Sequence, residues 1–153
     1  QSGMIAGDDD LVNEIKNYSL FRTYRCSPMT LFELQETVLK YINKQEKEIP
    51  FWNLITQSYS SLEDRCKNIA KSISFSTSIE KGESVIGGGT LPDVTLESPI
   101  LLINNEKTVD AVNQLIKNDI PIVPRIIKDQ VCLDLRSVFH NQDDVIVQAL
   151  NNS

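Results

Sequence analysis

The greater part of the sequence predicts a two-layer α+β unit, and three observations lead there. From residue 74 onward the chain becomes rich in Ser, Thr, Val and Ile, the composition of strands. Its apolar segments then follow the order strand, strand, helix, strand, strand, helix. Ahead of them, residues 1–50 carry helical stripes whose pattern does not close on itself and reads as the tail of a larger domain. The expected division is therefore 1–50 and 51–153.

Residues 1–7 are small and apolar with glycines at both flanks, and read as a strand. Asp8, Asp9 and Asp10 stand at the mouth of a short helix whose apolar face is Leu11, Val12 and Ile15. Three acids there cap free N–H groups and complement the helix dipole more readily than they hold a metal. Pro28 and Thr30 open the clearest helix, with Leu31, Leu34, Val38, Tyr41 and Ile42 at helical spacing up to the polar run Asn43–Glu48. Pro50 ends that stretch, and Phe51–Gln57 reads as a short helix. Ser60 or Ser61 is expected to cap the next, whose stripe is Leu62, Cys66, Ile69, Ala70 and Ile73.

In the second half, Ser74–Ile86 reads as a strand broken by Gly87-Gly88-Gly89, and Pro99–Asn104 as a buried strand. Thr108–Asn118 is expected to be a helix with Val109, Val112 and Ile116 inward. Ile120–Ile127 and Val131–Arg136 flank the polar turn Lys128-Asp129-Gln130 and predict a β-hairpin. Asn141–Leu150 closes the pattern as a helix. No internal repeat or low-complexity linker interrupts it.

A chain of 153 residues buries roughly 70% of its unfolded surface and needs no disulfide or metal staple. Hydrophobic residues make up 41% and charged residues 24%, the balance of a soluble globular protein. The net charge of −6 and the lack of any Lys/Arg run argue against nucleic-acid binding by this piece alone. Cys26, Cys66 and Cys132 lie far apart, without CxxC spacing and with His140 as the single histidine, so no metal site is expected. Reduced, buried cysteines in a cytosolic protein are the simpler reading. The apolar runs are too short for a membrane span, and the first residues have no signal-peptide pattern. Asn17-Tyr18-Ser19 is then a chance sequon.

Four places invite chemistry. The run Val85-Ile86-Gly87-Gly88-Gly89-Thr90-Leu91-Pro92 lacks both the Gly-Lys-Ser/Thr ending and GxGxxG spacing of phosphate loops, and reads as a tight turn or close chain approach. Arg22 and Arg25, three apart, share a face only if Tyr18–Cys26 is helical or tightly turned. Two convergent guanidiniums would then suit a tetrahedral oxyanion, the alternative being a solvated patch paired with acids. Arg125 stands inside the apolar run Ile122–Ile127, where a charge requires either a partner, for which Asp134 is placed, or a ligand. His140, with Asp143 and Asp144 nearby, reads as a surface or capping group.

Three blocks also carry a resemblance. Gln1-Ser2-Gly3-Met4-Ile5-Ala6-Gly7 is similar to a Pro-Gln-Ala-Gly-Ile-Ile-Gly strand. Leu20 to Leu34, through Arg22, Arg25 and Thr30-Leu31, resembles a Leu-x-Arg-Ala-Leu-Arg…Leu-Thr segment. Gly87-Gly88-Gly89-Thr90-Leu91-Pro92 and Leu133-Asp134-Leu135-Arg136 complete the set. Their order and spacing resemble the C-terminal third of the bacterial L-seryl-tRNA(Sec) selenium transferases, the selenocysteine synthases.

The resemblance implies the small α+β domain of a fold-type I enzyme dependent on pyridoxal 5'-phosphate (PLP), with residues 1–50 as the end of the cofactor-binding large domain and an interdomain helix. It implies a cytoplasmic homo-oligomer acting on seryl-tRNA(Sec) with selenophosphate. The family's Schiff-base lysine, in a Ser-Gly-Asp-Lys stretch, is expected just ahead of Gln1, so the chain alone is expected to be inactive. Arg22 and Arg25 fall where that family places arginines for the selenium donor, an anion shaped like phosphate. Arg125 falls near a substrate-contacting position of fold-type I enzymes. Pro124 and Gln130 depart from the pattern, Gln130 replacing a hairpin glycine. A related PLP lyase of amino sugar acids and a non-catalytic interaction module are the competing readings.

Overall fold

A computed structural model describes residues 2–87, 91–104 and 108–152, without the side chains of 91–93, 108 and 109. The chain divides into two compact units, Gln1–Ile49 and Pro50–Ser153.

The first unit is helical. Asp8 caps α1 (Asp9–Asn17), its carboxylate accepting from the amides of Asp10 and Leu11 at 3.0 and 3.4 Å, as the acidic run predicts. A 3₁₀ turn follows over Ser19–Tyr24. Ser27 then caps α2 (Pro28–Ile42), accepting from Thr30 N at 3.1 Å, with Pro28 in the first turn where its missing N–H costs nothing. The expected opening strand does not form: residues 2–7 carry no strand pairing. A strand exists only by pairing, and nothing in this unit offers it an edge. No residue in the helices of this unit is buried, and Leu31, Val38, Tyr41 and Ile42 of the α2 stripe are exposed.

The second unit holds the core. A short α3 (Pro50–Ile55) leads to α4 (Tyr59–Ser72). The cap of α4 is Ser58 rather than Ser60 or Ser61. Its hydroxyl accepts from Ser61 N at 3.2 Å and its carbonyl from Leu62 N at 3.1 Å, so the later serines already lie in the first turn. Four antiparallel strands follow, β1 (Ser76–Gly87), β2 (Leu91–Asn104), β3 (Arg125–Ile127) and β4 (Gln130–Asp134), in the order β1-β2-β4-β3. With α5 (Thr108–Lys117) between the pairs and α6 (Asp143–Asn151) at the end, the order of elements is the one the sequence predicts.

Several boundaries differ. β2 starts at Leu91, well before Pro99, because it pairs with β1 over nearly its whole length. β4 reaches only Ile100–Ile103, so the distal part of β1–β2 is a two-stranded ribbon, half exposed and without a continuous apolar run. Gly82 sits in close approach there: a Cβ would lie 2.5 Å from Cγ1 of Ile100. Of the expected Ile120–Ile127 strand only Arg125–Ile127 pairs, since Pro121 and Pro124 have no N–H to give a ladder. The hairpin turn is two residues, Lys128 and Asp129, both left-handed at φ 51° and 63°. Gln130 already pairs with Ile127, so no glycine is needed in its place. β4 stops at Asp134, which accepts from Arg136 N at 3.1 Å and opens the 3₁₀ turn Leu135–Ser137.

One face of the sheet meets the helices. Leu101 and Ile103 of β2 and Val131 and Leu133 of β4 pack with Leu62, Cys66 and Ile69 of α4, Leu115 of α5 and Ile146 and Leu150 of α6. On α5 the inward face is Ala111 and Leu115, with Val112 beside them. Ile116, expected inward, is exposed, and the Val109 side chain lies outside the described residues. The opposite face carries a smaller cluster of Ile100, Leu102 and Cys132. Alternation along β2 sends successive side chains to the two faces, and both are occupied.

Candidate functional site

A cavity of about 700 Å³ opens in the second unit. Phe51, Leu54 and Ile55 of α3, Ile122 and Val123, Val138, and Val145 and Ile146 of α6 give it mainly apolar walls. Ser84, Cys132 and Gln142 add small polar groups, and among the described residues the charged ones that line it are Arg125, Asp134 and Arg136.

Asp134, the last residue of β4, is nearly buried and fully engaged. The Ser84 hydroxyl donates to Oδ2 in a very short hydrogen bond, and the Ser98 hydroxyl donates to Oδ1 at 2.8 Å. Arg125 is half-exposed rather than buried in a strand interior, since β3 begins with it at the sheet edge. Its Nη1 donates to the Glu83 carbonyl at 3.0 Å and lies 3.8 Å from Asp134 Oδ2, so the carboxylate chosen from the sequence is its ionic partner.

Arg136 is 7% exposed and meets carbonyls only. Nη1 donates to Ile55 O at 3.1 Å and Gln57 O at 2.9 Å, Nη2 donates to Glu97 O at 2.6 Å, and Nε has no partner. No carboxylate pairs with it among the described residues. Sequence reasoning quoted this arginine without assigning it a role. Arg65, also missed, is buried on the α4 stripe. Its guanidinium takes both Asp143 oxygens, at 3.0 and 2.7 Å, and the Gln57 side chain and the carbonyls of Leu135 and Val138. Its place beside Leu62, Cys66 and Ile69 at helical spacing was the signal that could have found it.

The other sequence candidates fall elsewhere. Arg22 lies in the 3₁₀ turn of the first unit, while Arg25 has left it, extended at φ −64° and ψ 124°. The stacking that a 3₁₀ turn gives residues three apart therefore ends before Arg25, and both side chains are exposed. His140 is 82% exposed, its Nδ1 3.1 Å from Asp143 Oδ2. It does not cap α6, whose N-cap residue is Gln142. Gly88, Gly89 and Thr90 lie outside the described residues. All three cysteines are free. Cys66 and Cys132 are buried as expected, but Cys26 is exposed. Burial pushes the Cys66 thiol up to about 12 and raises Cys132 too, so neither is a thiolate nucleophile at neutral pH. Among the described residues no cluster of His, Cys, Asp or Glu fits a metal ion. No helix among them is long and apolar enough to cross a membrane. Among the described residues no lysine lines the cavity.

Fold and cavity together define a small α+β domain with a largely apolar cavity that Arg125, Asp134 and Arg136 line. Residues 1–139 match the family model described as L-seryl-tRNA selenium transferase, and the chain belongs to that family. It is 32% identical over 160 aligned positions to the L-seryl-tRNA(Sec) selenium transferase of Clostridium perfringens (strain ATCC 13124), covering 98% of this chain and 34% of the relative. The Campylobacter fetus and Campylobacter jejuni (strain RM1221) proteins of the same name are 31% and 28% identical, each covering 99% of this chain and 34% of the relative. The chain thus spans about a third of the length of the curated relatives it matches.

Proposed function

We propose that this chain forms the C-terminal part of a PLP-dependent L-seryl-tRNA(Sec) selenium transferase, converting seryl-tRNA(Sec) to selenocysteinyl-tRNA(Sec) with selenophosphate. The observation that carries the reading is the family match over residues 1–139, supported by relatives aligned along almost the whole chain. In this reading the second unit is the small domain of a fold-type I enzyme in a cytoplasmic homo-oligomer. PLP would supply electron withdrawal at the serine in the complete enzyme, and no residue of this chain is assigned to its covalent attachment. Arg22 and Arg25 hold the selenium donor, and Arg125 contacts substrate. The exposure of all three guanidiniums keeps them available to anions, because none is consumed by a short, buried ion pair.

A chimaera tests this. The chain replaces the matching third of the Clostridium perfringens relative, and selenocysteinyl-tRNA is measured with purified seryl-tRNA(Sec) and selenophosphate. Product is expected from the chimaera and none from the chain alone. Arg22→Ala and Arg25→Ala should raise the KM for selenophosphate at least about tenfold, with tRNA binding unchanged. Lysine at either position should restore it only in part, since the fork is lost. A soluble chimaera without product sinks the assignment, and an unchanged donor KM in the double alanine variant removes these arginines from it.

A further inference from the structure

β1 and β3 are the two edges of the sheet, and through Cys132 and Leu102 the register sets Arg125 level with Ser78. Laid flat, the sheet would hold these edges three strand spacings apart, about 14 Å, with Glu83 farther still along β1. Yet Arg125 Nη1 donates to the Glu83 carbonyl at 3.0 Å. The sheet is therefore rolled toward the face that carries Ile100, Leu102 and Cys132, until its edges meet at this end. Gly82 stands at the bend, where a side chain would strike Ile100. A closed barrel joins its edges by a backbone ladder. Here β1 pairs with β2 and β3 with β4, so side chains make the seam. Arg125 holds Glu83, and the Ser84 hydroxyl donates to Asp134 Oδ2. β2 is pinned separately: the Ser98 hydroxyl donates to Asp134 Oδ1, and Arg136 Nη2 to the Glu97 carbonyl. Ser84, Val85 and Ile86 of β1 line the same cavity as Arg125 and Cys132, so the seam is part of its wall.

We propose that the seam between β1 and β3 is a gate to the cavity, latched by the Ser84–Asp134 and Arg125–Glu83 bonds and opened by turning the β1–β2 ribbon about its pinned β2 strand. The gate follows from the roll of the sheet alone and stands apart from the role proposed for Arg125 with substrate. Opening breaks the two latch bonds and leaves the β2–β4 ladder in place, which is why a side-chain seam can move where a backbone ladder cannot.

Cys132 reports on the gate, since it is buried on the rolled face, while Cys66 is buried in the main core against the other face. The full chain is treated with iodoacetamide under native conditions, and the rate at each cysteine is read by mass spectrometry. In the wild type Cys132 is expected to react no faster than Cys66. Ser84→Ala, which removes one latch, should speed Cys132 at least about tenfold and leave Cys66 protected, the scale of one hydrogen bond to a charged group. Arg125→Met, at a half-exposed position, should do the same, and it decides the matter if Ser84→Ala does not fold. In both variants amide exchange at Ile100–Ile103 and Val131–Asp134 should stay as slow as in the wild type. Cys132 as protected in both variants as in the wild type would overturn the gate. Cys132 and Cys66 reacting together, or Cys132 exposed with the β2–β4 ladder lost, would show the two bonds to be ordinary supports of the fold and overturn it equally.

Discussion

Arg65 brings a positive charge into the interior and meets both oxygens of Asp143 there, together with a side-chain amide and two carbonyls. Its removal strands Asp143 in a low-dielectric site and leaves two carbonyls short of a donor. Arg65→Ala is expected to cost about 3–5 kcal/mol, read by urea unfolding. A doubly truncated variant, Arg65→Met with Asp143→Asn, should recover part of it, because no charge is then left alone. Cys66 acts through pH. Its folded thiol is pushed up to about 12, so the neutral form is the one the fold favours. Stability is fully present below about pH 9 and is lost as the pH rises toward 12, by an amount on the order of 3–4 kcal/mol. Cys66→Ala should flatten that alkaline loss relative to wild type in unfolding curves taken across the window. Iodoacetamide followed by mass spectrometry should label Cys26 at once, and Cys66 and Cys132 only after unfolding.

Among the elements, the β1–β2 ribbon and α1 bracket the range of stability. At Gly82 an added Cβ meets Ile100 at 2.5 Å, and both strands are fixed by their pairing. Gly82→Ala is therefore expected to destabilise by about 1–3 kcal/mol through overpacking, measured by thermal unfolding. α1 has nine residues and no buried side chain. A helix so short is marginal in water without tertiary packing, so it depends on the Asp8 cap. Asp8→Ala should accelerate amide exchange over Asp9–Asn17 and leave β4 unaffected. In the wild type, slow exchange is expected at Ile100–Ile103 and Val131–Asp134, which are laddered and buried, and fast exchange at residues 2–7. Protection of residues 2–7 in a proven monomer would contradict this.

For the molecule as a whole, every residue of the main core lies between Leu62 and Leu150. A chain trimmed to residues 50–153 is expected to keep a cooperative unfolding transition, since it retains that core entire. Loss of cooperativity in calorimetry would count against it. The chain alone is also expected to take up PLP weakly and without a dedicated covalent site, because no lysine lines the cavity among the described residues. Borohydride treatment with equimolar PLP should give only low, scattered adducts on exposed lysines by mass, and stoichiometric modification of one particular lysine would refute this.

The order of elements was legible because each apolar stripe has its own period: Leu62, Cys66 and Ile69 are buried on α4 at helical spacing, and Ile100–Ile103 form a strand occupied on both faces. Asp8 and its cap were equally readable, since capping is settled within four residues. What residues far apart in the chain must settle together was not. Whether residues 2–7 pair depends on an available edge, and the true length of β2 depends on β1. Arg25 lay beyond reach because the end of a 3₁₀ turn is a matter of one dihedral. The pairing of Arg125 with Asp134 was foreseen as one of two alternatives. Its clamp by Ser84 and Ser98, the carbonyl cradle of Arg136 and the pairing of Arg65 with Asp143 were not, for these contacts join positions 36 to 81 residues apart. The sequence by itself determined periodicity, the Asp8 cap and family. Only the tertiary structure decided which charges are buried and which is left facing the cavity, because desolvation and pairing depend on neighbours that folding alone brings together.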